Sequence, residues 1–148
     1  MLKSARKSRI RFFYPYKTHY IKGSGRLKKF IEQLFIDEGK NLENLNYVFC
    51  SDKDLLAINK KYLNHNYHTD IVTFNLSEKR EIVQGESYIS MSRVRENAIK
   101  LNIAFQNELL RVIFHGALHL CDYTDKTQKD ILVMRKKEDY YLSIYLNH

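Results

Sequence analysis

His115 and His119 stand four residues apart, and Asp125 follows six residues later, in the stretch His115-Gly116-Ala117-Leu118-His119-Leu120-Cys121-Asp122-Tyr123-Thr124-Asp125. Four residues advance an α-helix by about 400°, so both imidazoles share one face, roughly 6 Å apart along the axis. Two imidazoles so placed can grip one metal ion. On a continuing helix Asp125 would sit about 240° round from His119. It joins them only if the chain turns back between Cys121 and Thr124. Three donors with a fourth position open are the pattern of catalytic rather than structural zinc. The spacing therefore predicts a metal-dependent hydrolase.

A bare pair of histidines in a chain with six of them carries little weight, and its plain alternative is one core and one surface imidazole. The context shifts the balance. Leu109, Leu110, Val112, Ile113, Ala117, Leu118 and Leu120 make the segment apolar nearly all round, which predicts a buried helix. Buried imidazoles need polar partners, and a metal satisfies both. Peptidases with the H-E-x-x-H pattern carry their general base directly after the first His; that position is Gly116 here, which argues against peptide hydrolysis. Cys121, two residues past His119, points about 200° away on the helix and is read as structural.

The block resembles the YbeY family of bacterial metallo-endoribonucleases and ribosomal-RNA maturation factors, through His115, Gly116, Leu118, His119, Leu120, Tyr123 and Asp125. Two further stretches are similar to family segments in the same order: Asn59 to Phe74, with Thr69-Asp70-Ile71-Val72-Thr73-Phe74 at its end, and Gly85-Glu86-Ser87-Tyr88-Ile89-Ser90. The resemblance implies one zinc ion per chain on His115, His119 and Asp125, and cleavage of single-stranded RNA by metal-activated water. It further implies work in 16S rRNA 3′-end maturation and ribosome quality control, with rRNA and the ribosome or its assembly factors as partners. Three positions depart from the pattern: Asp125 replaces the usual third His, Asp122 replaces a turn Gly, and Leu63 stands where many members carry an Arg. Arg93, Arg95 or Arg111 could supply that cation, and His68, Thr69 and Asp70 could line the same cleft. For Thr69-Asp70, turn chemistry at a strand entry is an equal alternative. No general base is assigned. A non-catalytic ribosome-assembly factor with a structural metal is the competing reading.

The charge is uneven. The chain carries 25 Lys and Arg against 17 Asp and Glu, yet its first 31 residues contain ten basic residues and no acidic one. Such a cluster, with Arg6, Lys7 and Arg9 at its head, favours a polyanion such as RNA. Phe12, Phe13, Tyr14, Tyr16 and Tyr20 interleave with it; they suit base stacking and equally a half-buried first strand. Two cysteines make no disulfide framework, which with the absence of a membrane-length apolar run predicts a cytoplasmic protein.

To position the donors, the pattern predicts one α+β domain over residues 1–148. Strands are expected at about Ile10–Tyr14, Asn46–Cys50, Asp70–Leu76 and Glu86–Met91, making a four-stranded mixed sheet. Helices are expected after Gly23-Ser24-Gly25 up to Gly39, after a Ser51/Asp54 capping box, after Ser92, from Phe105 to Leu120 as a zincin-like metal helix, and from Gln128 to Asn147, the last burying Ile131, Met134 and Tyr141 or their neighbours. The charged run Ser77–Gln84 is expected to be a connection.

Overall fold

The computed structural model describes residues 7–15, 21–64 and 69–147. Arg6 and His68 among the residues named above, and Tyr16 and Tyr20, lie outside them. The elements are β1 (Ile10–Phe13), α1 (Ser24–Asp37), β2 (Asn41–Cys50), α2 (Asp52–Leu63), β3 (Ile71–Asn75), β4 (Ile82–Ser90), α3 (Met91–Leu101), α4 (Phe105–Leu120) and α5 (Gln128–Leu146). They form one α+β domain on a mixed sheet of order β1-β2-β4-β3, in which β1 and β4 run parallel to β2 and β3 runs antiparallel to β4.

One sheet face carries the main core, and the other is covered in part by a smaller cluster. Along β4, Val83, Gly85, Ser87 and Ile89 are buried in strict alternation, a period of two. The main core joins Leu27, Ile31 and Phe35 of α1 to Leu45 and Tyr47 of β2, to Ile113, Phe114 and Ala117 of α4, and to Met134 and Tyr141 of α5. A smaller cluster of Cys50, Leu55 and Val72 lies among Val48, Ile58 and Tyr88.

Four expectations need correction. β2 begins at Asn41 rather than Asn46, and β4 takes in Ile82–Gly85 from what read as a connection. Pairing with β2 from Asn41 onward holds that polar stretch extended, which local composition cannot show. Ser90, not Ser92, caps α3, its hydroxyl accepting the Arg93 N–H. Ile131 is 38% exposed, whereas Met134 and Tyr141 are buried as expected. The Ser51 hydroxyl does accept the Asp54 N–H, and a fully reciprocal capping box joins Thr127 to Asp130.

How α4 meets the sheet decides where the histidines lie. A Cβ added to Gly116 would meet Ile71 Cδ1 at 2.8 Å, Ser87 Oγ at 3.0 Å and Thr73 Oγ1 at 3.1 Å. Thr73 and Ser87 hydrogen-bond each other at 2.8 Å across β3 and β4. Gly116 thus lets α4 press onto the strands, and a side chain directly after His115 would force Ile71, Ser87 and Thr73 to shift. Gly116→Ala should destabilise the fold by about 1–3 kcal/mol through overpacking, read as a lower midpoint in chemical denaturation.

Candidate metal centre

Helix α4 ends in a Schellman motif: the Asp122 N–H donates to the His119 carbonyl and the Tyr123 N–H to the Leu118 carbonyl. Asp122 takes the left-handed conformation this requires, with φ 72°, which Asp tolerates better than most residues. The reversal falls inside the interval the spacing demanded. It carries Asp125 back until its Oδ2 lies 3.5 Å from His115 Nε2 and 3.4 Å from His119 Nε2.

The two Nε2 atoms are 2.9 Å apart. Each ring's other nitrogen is engaged: His115 Nδ1 pairs with Glu138 Oε2 at 2.7 Å, and His119 Nδ1 with the Tyr123 carbonyl at 2.9 Å. With Nδ1 donating, each neutral imidazole turns its Nε2 lone pair inward. Two nitrogen acceptors and a carboxylate oxygen then converge on one point. Such a donor set repels itself until a cation or proton sits among the atoms, and it suits a metal ion, with donor atoms within 4.8 Å of one another. Orientation of ligating imidazoles by a carboxylate and a carbonyl is the usual outer support of metal sites.

Glu138 is buried, and its other oxygen takes Arg111 Nη1 at 3.2 Å. Arg111 also reaches Asp139 at 2.8 Å. Burial alone would lower the His115 pKa, but the hydrogen bond and charge of Glu138 raise it above the usual histidine value. His119 is lowered by burial and then by the positive charge of His115. Metal must displace the proton that Glu138 helps His115 keep. Metal affinity should therefore rise with pH through and beyond the ordinary value of 6.5, levelling off only above the raised pKa. Chelator competition between about pH 6 and about pH 8 checks this.

Two open clefts of about 440 and 450 Å³ meet at the donors and share Asp70, Ile71, His115 and Asp125. Lys100, Arg111 and Arg135 bring positive charge to the first; Asn59, Leu63, Thr69, Thr73 and Asn75 line the second. Burial raises the Asp70 carboxyl, whose Oδ2 accepts from Asn97 at 3.2 Å. Thr69 Oγ1 donates to the Ile71 carbonyl at 3.4 Å, so its turn role and its place in the cleft coexist.

The arginines named from the sequence divide. Arg111 lines the first cleft. Arg93 is tied to Asp52 through Nε at 2.9 Å and Nη2 at 3.2 Å, and Arg95 lies over the Phe105 ring at 5.1 Å; neither is among the described residues that line the two clefts. Lys7 is exposed, and Arg9 donates to the Leu42 carbonyl at 3.0 Å in a separate hollow beside Lys40. Cys121 is buried, its thiol pushed up to about 12 by burial. Sequence reasoning missed Glu138 and the Tyr123 carbonyl. A signal for Glu138 existed: with Met134, Tyr141 and Tyr145 it occupies one buried stripe of α5, and an acid on an apolar stripe needs a partner.

A family model described as Endoribonuclease YbeY matches residues 17–145. The Endoribonuclease YbeY of Flavobacterium psychrophilum is 45% identical over 115 residues, 78% of this chain and 81% of that one. That of Karelsulcia muelleri is 41% identical over 133 residues, covering 90% and 93%. A solution structure of a protein from Thermotoga maritima is 31% identical and superposes with a TM-score of 0.61, covering 90% of this chain and 86% of the other. Among the described residues no helix is long and apolar enough to cross a membrane. With a match over most of its length and relatives this similar, the chain belongs to the endoribonuclease YbeY family, and its enzyme class is that of nuclease hydrolases.

Proposed function

We propose that this protein is a single-strand-specific endoribonuclease of rRNA maturation and ribosome quality control, working with one zinc ion on His115, His119 and Asp125. The observation that carries the reading is the convergence of three metal donors at the junction of two open clefts. Two open clefts that share Asp70, Ile71, His115 and Asp125 leave room for chain beyond the donors, which suits cutting within a strand rather than at its end. When bound, the ion acidifies water and offsets charge on the phosphate.

The chain's own residues supply the rest. Glu138 and the Tyr123 carbonyl hold the two imidazoles in one tautomer and orientation. Lys100 and Arg135 offer charge to phosphates in the first cleft, which positions the strand without reading its sequence, whereas Arg111 is held by Glu138 and Asp139. Asp70 lines both clefts and is the carboxyl we assign to exchange a proton there. Lys7 and Arg9, with the basic segment before them, would hold more distant phosphates and contribute salt dependence.

A structural-metal assembly factor remains as a second reading because Leu63 stands in the second cleft where the resemblance leads one to expect Arg, and no Lys or Arg is among the described residues lining it. The test separates donors from turn. Asp125→Ala should lose bound metal and cleavage of a labelled single-stranded RNA together. Asp122→Gly should keep both, because relief of the left-handed residue offsets loss of the exposed Lys40–Asp122 pair. Equal metal content in wild type and Asp125→Ala would sink the three-donor site.

A further inference from the structure

We propose that Glu38, acting through Tyr123, is a positioning residue for the metal loop. The inference rests on the metal reading above. Tyr123 does two things at once. Its carbonyl accepts from His119 Nδ1 at 2.9 Å, and its hydroxyl donates to Glu38 Oε1 at 2.6 Å. Asp125 follows two residues later on the same turn. Whatever holds the Tyr123 ring therefore sets the tilt of His119 and the reach of Asp125.

Glu38 is built to be that anchor. It is the C-cap of α1, and its side chain is only 9% exposed. Its second oxygen takes the Tyr141 hydroxyl and Lys137 Nζ, the latter at 3.2 Å. Two residues of α5 and one of the metal loop thus converge on one carboxylate. Burial pushes that carboxyl up, but the hydrogen bonds from Tyr123, Tyr141 and Lys137 more than offset it and hold the group below its usual range. Lys137 also lies 5.6 Å from the Tyr123 ring centre. The turn after α1 is a second Schellman motif, with Gly39 N–H to the Ile36 carbonyl and Lys40 N–H to the Phe35 carbonyl. Lys40, just past it, reaches Asp122 at 2.6 Å. The end of α1 thus holds the metal loop through the buried Glu38 contacts, while the exposed Lys40–Asp122 pair adds little.

The test uses the full chain and zinc alone. Zinc dissociation constants from competition with a chromophoric chelator, and melting temperatures of the metal-free forms, are measured for wild type, Tyr123→Phe, Glu38→Gln and the double variant. Ile31→Val, on the buried face of α1, serves as a control that lowers stability away from the loop. Each single variant should weaken zinc binding about tenfold, within the range usual for outer supports of metal sites. The double variant should weaken it no further, because both break one linkage. Ile31→Val should lower the melting temperature and leave zinc affinity unchanged. Wild-type affinity in Tyr123→Phe and Glu38→Gln overturns the inference, as does weakening that merely tracks lost stability in the same proportion as the control. If wild type itself binds no zinc, the metal reading falls too; tight wild-type binding matched by the variants sinks the inference alone.

Discussion

Replacing His119 with alanine is expected to abolish RNA cleavage, by at least on the order of 10³-fold, while the chain stays folded. Losing a single electrostatic contact at a reaction centre costs roughly 10²–10³ in rate, and this change removes a metal donor outright. The fold should survive because the His119 side chain is 28% exposed, lining the second cleft, whereas the helix is held by Leu109, Ile113, Ala117 and Leu118 on its buried face. The measurement is cleavage of a labelled single-stranded RNA by purified wild type and variant, each with bound metal quantified. Activity that tracks zinc and disappears in the variant supports the enzyme. Metal-loaded wild type that cuts no faster than the variant would favour the assembly factor with a structural metal.

Glu138→Ala should have the largest effect among residues that would not touch metal. It removes the acceptor of His115 Nδ1 and one of the two carboxylates hydrogen-bonded to the partly buried Arg111. Breaking a buried ion pair from one side costs about 3 kcal/mol or more. For a domain of this size that lowers the melting temperature by about 6–12 °C. Metal affinity should fall about 10–100-fold as well, because the His115 ring loses its fixed orientation. Glu138→Gln keeps the volume and separates the effects: most of the stability should return, while metal affinity stays reduced. A thermal scan paired with zinc titration checks both, and unchanged zinc affinity in Glu138→Ala would remove Glu138 from the site.

The candidate donors and their helix could be picked out from the sequence because their information is local. The His115–His119 interval, the apolar run and the point of reversal all lie within a few turns of chain, and α4 runs from Phe105 to Leu120 as the pattern predicts. The order of elements was legible for the same reason. What was hidden depends on partners distant in sequence. Ile82–Gly85 is strand because β2 lies beside it, with β3 joining at Gly85. Arg93 reads as a free cation until Asp52, 41 residues away, is found against it. Glu38 gives no local signal at all, since its role is set by Tyr123, 85 residues on.

That contrast bears on the order in which the protein would acquire the proposed ion. All three candidate donors fall between positions 115 and 125, so on the proposed assignment a nascent or partly folded chain would already carry them close together in sequence. The contacts that steady them are long-range, and the parallel pairs β1–β2 and β2–β4 form slowly because their crossovers must close first. An ion caught before the sheet assembles would be loosely held and would exchange quickly. Once Glu38 and Glu138 are in place, exchange should slow, so resistance to a chelator becomes a clock for the last step of folding.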